Sequence, residues 1–216
     1  MNTSSIDNMF SAESEGIISI NEETNSIYFN AGINAKTISS LIDKLINMEN
    51  NILRKQKKLK RKLKKMNENL SEDEEHFNIK IEFKPIKLYI TSNGGYVYQA
   101  FSAIDTINEM KIPVHTICKG FVASAGTLLS LAGKKKYITE SSYMLIHELR
   151  SGFWGKYTNL SESFENSKQL MEHIKSYYIS KTKISPEELD EQLKKDISWN
   201  AQTCLEKGLV DEIIKY

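Results

Sequence analysis

Residues 120 to 126 read Gly-Phe-Val-Ala-Ser-Ala-Gly, and this heptapeptide constrains the chain more than any other stretch. Upstream, Val114-His115-Thr116-Ile117-Cys118 is rich in β-branched residues and partly alternates, the pattern of a strand. Downstream, Thr127-Leu128-Leu129-Ser130-Leu131-Ala132 continues in helix formers. Ser124 therefore falls at a strand-to-helix turn, flanked by residues that stay small. Such a turn presents backbone N–H groups with no helical acceptor, at the positive end of a helix. A developing oxyanion needs donors of that kind, so Ser124 is a candidate nucleophile. The competing reading makes Ser124 the N-cap of a buried helix whose small neighbours only permit tight packing.

A chain of 216 residues accommodates one α/β domain with an appendage and a sizeable core. The formal net charge of +1 gives no global argument for a nucleic-acid or membrane partner. Cys118 and Cys204 lack metal-ligand spacing, which predicts reduced thiols and a cytoplasmic protein. No run has the length of a transmembrane helix, and the first residues lack the basic and apolar regions of a signal peptide.

In chain order, residues 1–16 are polar and read as a flexible arm, and residues 17–216 as one domain. Ile17 to Ile20 and Ile27 to Phe29 predict two strands around a turn, with Asn34 or Thr37 capping the helix that follows. Ile38, Leu41, Ile42, Leu45 and Ile46 form that helix's apolar stripe. Charge then segregates: nine of the twelve residues from Arg54 to Lys65 are basic, and five of the eight from Glu68 to Glu75 are acidic. Residues 51–76 read as a solvated charged insertion, a basic helical extension that turns at Asn67 to Ser71 and returns as an acidic strand. A polybasic patch for a polyanion is the functional alternative, which the adjoining acidic block opposes.

Ile79 to Phe83 and Ile86 to Thr91 predict strands, the second running into Ser92-Asn93-Gly94-Gly95 and a helix over Tyr96 to Met110. The Ser124 turn and its helix follow, then Lys134 to Ile138 and a strand over Tyr143 to Ile146. Alternating strands and helices predict parallel pairing, with the strands' carboxyl ends converging. Gly94-Gly95, Ser124 and His147 all occupy such ends. A long helix from about Thr158 to Lys181, with the stripe Leu160, Phe164, Met171, Ile174 and Tyr178, suggests a subunit contact. Ser185-Pro186-Glu187-Glu188 is a capped helix start, and another helix covers Asn200 to Lys207.

A serine hydroxyl needs a base within reach and a third group to orient that base. Of the four histidines, His76 lies in the acidic block, His115 inside a strand and His173 in the long helix. Only His147 follows a strand able to neighbour that of Ser124. For the orienting carboxylate, Asp196 and Asp211 remain equal on chemistry alone.

Gly120 to Gly126, Met144-Leu-Ile-His147 and Gly208-Leu-Val-Asp211 together resemble the proteolytic subunit of the Clp protease, and Ile90-Thr-Ser-Asn-Gly94-Gly95 is similar to that family's Ser-Pro-Gly-Gly segment. The likeness runs from about Ile17 to Ile213, interrupted by the charged insertion. Asn93 and Glu148-Leu149 depart from the family pattern. The resemblance implies a serine endopeptidase on the α/β, crotonase-type fold of repeated ββα units, and family spacing back from Gly208 selects Asp196. It implies Ser124 as nucleophile, His147 as base, Asp196 as its orienting group, and the N–H groups of Gly95 and Ala125 as oxyanion hole. It further implies stacked seven-membered rings interlocked by the long helix, a Clp-type ATPase partner, unfolded protein substrates, and no metal or nucleotide cofactor in this subunit.

Two other classes compete with that reading. A non-catalytic scaffold subunit would bind a partner through the charged insertion. A crotonase-fold acyl-CoA enzyme would share the oxyanion hole but leaves His147 and Asp196 unexplained.

Overall fold

The computed structural model describes residues 16–68 and 84–215. The N-terminal arm to residue 15, the acidic block beyond Glu68 with His76, and the expected strand Ile79 to Phe83 lie outside the described residues.

The alternation predicted for the first strands is met by β1 (Ile17–Asn21) and β2 (Ser26–Asn30), an antiparallel pair with Ile20 opposite Ile27. Asn25 takes the turn between them at φ 51°, and the Asn21 side chain accepts from the N–H groups of Glu23 and Thr24. Helix α1 (Ala35–Glu68) begins at a reciprocal cap: Thr37 N–H donates to Asn34 Oδ1, and Asn34 N–H donates to Thr37 Oγ1. Ile38, Leu41, Leu45, Met48 and Ile52 are buried along one stripe. Past Ile52 no residue of α1 is buried, and Leu59 and Met66 lie exposed. The basic run thus continues the core helix as an exposed extension, as expected for its first half. Glu49 anchors the buried half, since its Oε1 accepts from Lys111 N–H and Ile112 N–H at 2.6 and 2.9 Å.

Strand β3 (Ile86–Ser92) alternates buried Ile86, Leu88, Ile90 and Ser92 with less buried neighbours. Each fully buried Leu or Ile of this kind is worth roughly 1.5–3 kcal/mol of transfer free energy. Helix α2 (Val97–Glu109) follows, then β4 (Val114–Ala123), α3 (Ala125–Ser130), β5 (Lys135–Thr139) and β6 (Tyr143–Leu145). The chain closes with α4 (Tyr157–Lys181), α5 (Pro186–Leu193), β7 (Trp199–Asn200), α6 (Ala201–Glu206) and β8 (Glu212–Ile214). The strands form one sheet in the order β1-β2-β3-β4-β5-β8, with β6 paired to β4 and β7 to β6. From β2 to β8 the pairs along that path are parallel, as the strand and helix alternation predicts. This is the mixed α/β architecture expected for the ββα family.

Three local features extend the sequence reading. Strand β4 is longer than the predicted Val114 to Cys118: it runs on to Ala123, kinked at Gly120 where φ is +71°, and the turn is confined to Ser124. The kink lets β4 fork, with His115 to Cys118 pairing β5 and Phe121 to Ala123 pairing β6. Ser142 Oγ accepts from Gly120 N–H at the fork. In α4 only the carboxyl-terminal part of the apolar stripe, Ile174 and Tyr178, is buried, while Leu160 and Phe164 lie exposed. At α5 the Ser185 hydroxyl accepts from Glu188 N–H as predicted, but the Glu188 carboxylate is ion-paired with Lys207.

Candidate active site

The candidate nucleophile sits on strained backbone. Ser124 has φ 55° and ψ −129°, a conformation that residues with a Cβ rarely adopt. Two neighbouring strands impose it. The parallel register of β4 and β6 ends at Ala123 opposite Leu145, and Ser124 N–H donates to Leu145 C=O at 2.9 Å. Immediately afterwards the chain must enter α3, so the reversal is concentrated in one residue. Thr127 secures the far side, donating from Oγ1 to Ser124 C=O at 2.6 Å and from N–H to the same oxygen at 2.9 Å. Ser124 occupies the N-cap position of buried α3, but its side chain makes no capping hydrogen bond, so the hydroxyl is not engaged by the helix.

The paired glycines of the β3 turn are there for close approach. A Cβ on Gly94, at φ +93°, would lie 2.6 Å from Ser124 Cβ and 2.8 Å from Ala123 O. A Cβ on Gly95, at φ +145°, would lie 2.1 Å from Ile33 O. Gly95 bridges Ile33 through its neighbours' groups: Ile33 N–H donates to Gly94 C=O, and Tyr96 N–H donates to Ile33 C=O. That pattern leaves the Gly95 N–H out of the bridge. Ala125 is the first residue of α3, so no earlier turn of that helix can accept from its N–H. With only six residues in α3, these individual donors matter more than any macrodipole. Ser92 completes the turn, its hydroxyl accepting from Gly94 N–H, and its side chain packs where a Cβ on Gly126 would come within 3.2 Å.

His147 follows β6 two residues after Leu145, and its side chain is 14% exposed. Glu148 N–H donates to Leu193 C=O at 2.9 Å, which joins the His147 segment to the end of α5 just before Asp196. Buried Gln192 braces the same loop, donating from Nε2 to Ile197 C=O at 3.0 Å. Asp196 consequently faces His147, with Oδ1 3.8 Å from Nδ1. This separation exceeds a hydrogen bond, and Nδ1 of His147 is buried without a hydrogen-bond partner. The other oxygen of Asp196 accepts from Arg150 Nη2 at 2.5 Å. Burial, and next the Arg150 charge, hold the imidazole pKa below its usual value, while Asp196 and Glu148 act in the opposite sense.

The remaining candidates are accounted for elsewhere. Asp211 is locked to β5, its Oδ2 accepting from Lys136 N–H at 2.8 Å and its own N–H donating to Lys136 C=O. Geometry thereby separates two carboxylates that chemistry alone left equal. His115 is half-buried beside Tyr137, and His173 is tilted against Phe101. No hydrogen bond joins Ser124 Oγ to His147 among the described residues. Gln192, Thr127 and Arg150 carry no signal in the sequence that marks them, since their roles depend on which loops the fold brings together. Among the described residues no cluster of three or more His, Cys, Asp or Glu side chains could hold a metal ion. None of the described helices is long and apolar enough to cross a membrane. The family model described as Clp protease matches residues 76–216, more than half of the chain.

Proposed function

The chain belongs to the Clp protease family and is a Clp-type peptidase; on that premise we propose that it is a serine endopeptidase using Ser124, His147 and Asp196. Ser124 Oγ attacks the peptide carbonyl, His147 takes the proton and returns it to the leaving amine, and Asp196 orients the imidazole. The N–H groups of Gly95 and Ala125 receive the oxyanion. The observation that carries this reading is the strained Ser124 elbow, one strand away from His147 and hydrogen-bonded to the β6 carbonyl that precedes it. Backbone strain of this sort costs about 1–3 kcal/mol and is retained where it aims a side chain.

Family membership implies oligomeric assembly in general. The specific assembly proposed is the seven-membered ring, stacked in pairs into a barrel that acts with a Clp-type ATPase on unfolded protein chains in the cytoplasm. Exposed Trp154, Tyr157 and Phe164 support a subunit contact at the start of α4, because apolar side chains this exposed gain from burial against a second copy. The subunit itself is proposed to need no cofactor.

Labelling with a fluorophosphonate, read by intact mass alongside native mass spectrometry, tests both parts. Adduct formation on Ser124 in a multiple of seven chains is expected. A folded oligomer that takes no label, or that takes it equally after Ser124→Ala, refutes the assignment.

A further inference from the structure

Asp196 serves two partners with one carboxylate. Oδ2 is held at 2.5 Å by Arg150 Nη2, whereas Oδ1 stands 3.8 Å from His147 Nδ1. The imidazole is the buried member of the trio, at 14% side-chain exposure, against 57% for Arg150 and 59% for Asp196. A buried nitrogen left without a partner, beside a carboxylate engaged towards solvent, is the reverse of what orienting an imidazole requires. Without a partner at Nδ1, nothing selects the tautomer that leaves Nε2 free to accept a proton.

We propose that Arg150 is a latch on Asp196 that withholds the carboxylate from His147 and keeps the site in a resting arrangement. This rests on the triad reading above.

Three features favour a latch over a permanent support. Guanidinium is always charged and forms the stronger, charge-assisted bond, so it wins the carboxylate from a neutral imidazole. Its field also opposes the imidazolium that forms when His147 takes a proton, and on His147 the Arg150 effect precedes that of Asp196. The charged groups acting on His147 are Arg150, Asp196 and Glu148, and only Arg150 disfavours the protonated ring. Finally, Arg150 lies in the exposed segment between β6 and α4, together with Trp154, which is 99% exposed. A contact that reorders this segment moves the guanidinium without disturbing the core.

The test compares the full-length wild type with Arg150→Gln and Arg150→Lys. Fluorophosphonate labelling rates are measured across pH, and crystal structures supply the His147 Nδ1 to Asp196 distance. Arg150→Gln is expected to close that distance to a hydrogen bond of about 2.7–3.2 Å. It should also raise the labelling rate on the order of tenfold, small against the ~10⁴-fold that a triad carboxylate can control, and move the acid limb of the profile to higher pH. Arg150→Lys, which keeps the charge but loses the fork, should fall between. Slower or unchanged labelling in Arg150→Gln with the distance unaltered overturns the latch. So does a wild-type structure in which Arg150 holds Asp196 while His147 is already bonded to it. Absence of labelling in every variant, with the distance closing in Arg150→Gln, would remove the peptidase reading and leave the latch standing.

Discussion

The hydroxyl of Tyr178 lies 2.5 Å from Thr127 Oγ1, and that same Thr127 oxygen donates to the Ser124 carbonyl at 2.6 Å. Since Thr127 spends its proton on Ser124, Tyr178 must donate to Thr127. Burial raises the Tyr178 phenol pKa well above its usual value, so the proton is retained. A helix whose amino-terminal half is exposed is thereby wired to the backbone of the candidate nucleophile. A second contact lies nearby, where Leu149 N–H meets Met171 Sδ at 3.5 Å, two residues from His147.

Tyr178→Phe keeps the ring and removes the donor. The cost expected is about 1 kcal/mol in urea unfolding, the net worth of one buried hydrogen bond. Labelling of Ser124 should slow in the same variant, whereas Tyr177→Phe, whose buried hydroxyl has no hydrogen-bond partner, should leave it unchanged.

Gly94→Ala puts a methyl 2.6 Å from Ser124 Cβ and 2.8 Å from Ala123 O, where only backbone can yield. A displacement of about 1 Å at a reacting centre can cost ~10²-fold, so labelling is expected to fall by about that factor. Gly152→Ala meets nothing within 4 Å and should match the wild type in labelling and in melting temperature.

Strain at Ser124 makes a prediction of opposite sign to the usual one. Glycine inside ordered structure ordinarily costs roughly 0.5–1 kcal/mol relative to alanine. At φ 55° and ψ −129° the strain relieved, about 1–3 kcal/mol, outweighs that cost. Ser124→Gly should therefore unfold at higher urea concentration than Ser124→Ala.

The pH dependence follows from His147. Its pKa is lowered, first by burial and next by Arg150. The neutral ring, which in the proposed mechanism accepts the serine proton, persists above the folded pKa and is lost as pH falls through it. The labelling rate should thus lose its acid limb below the ordinary histidine value of about 6.5. For stability the sign is the same, with the contribution present above the unfolded pKa and lost as pH falls through the folded one.

The sequence carried the skeleton of this site because its strongest signals are backbone demands. Gly94-Gly95 and the small residues around Ser124 announce close approach, while the β-branched run from Val114 and the apolar stretch Tyr143 to Ile146 announce the strands that lead to Ser124 and His147. Register was not legible. That β4 forks at Gly120, pairing β5 below and β6 above, depends on tertiary competition between two strands for one edge. Which carboxylate faces His147 was legible only through family spacing, because Asp196 and Asp211 differ in partners that the fold brings from far along the chain. Arg150 was unreadable for the same reason: its meaning lies in a loop 46 residues away.

The most direct test of the central claim is the mass of the intact chain after fluorophosphonate treatment, compared between wild type and Ser124→Ala. One adduct per chain, mapped to Ser124 and absent from the folded variant, is the predicted result. An unlabelled wild type, or an adduct that survives the substitution, would contradict it.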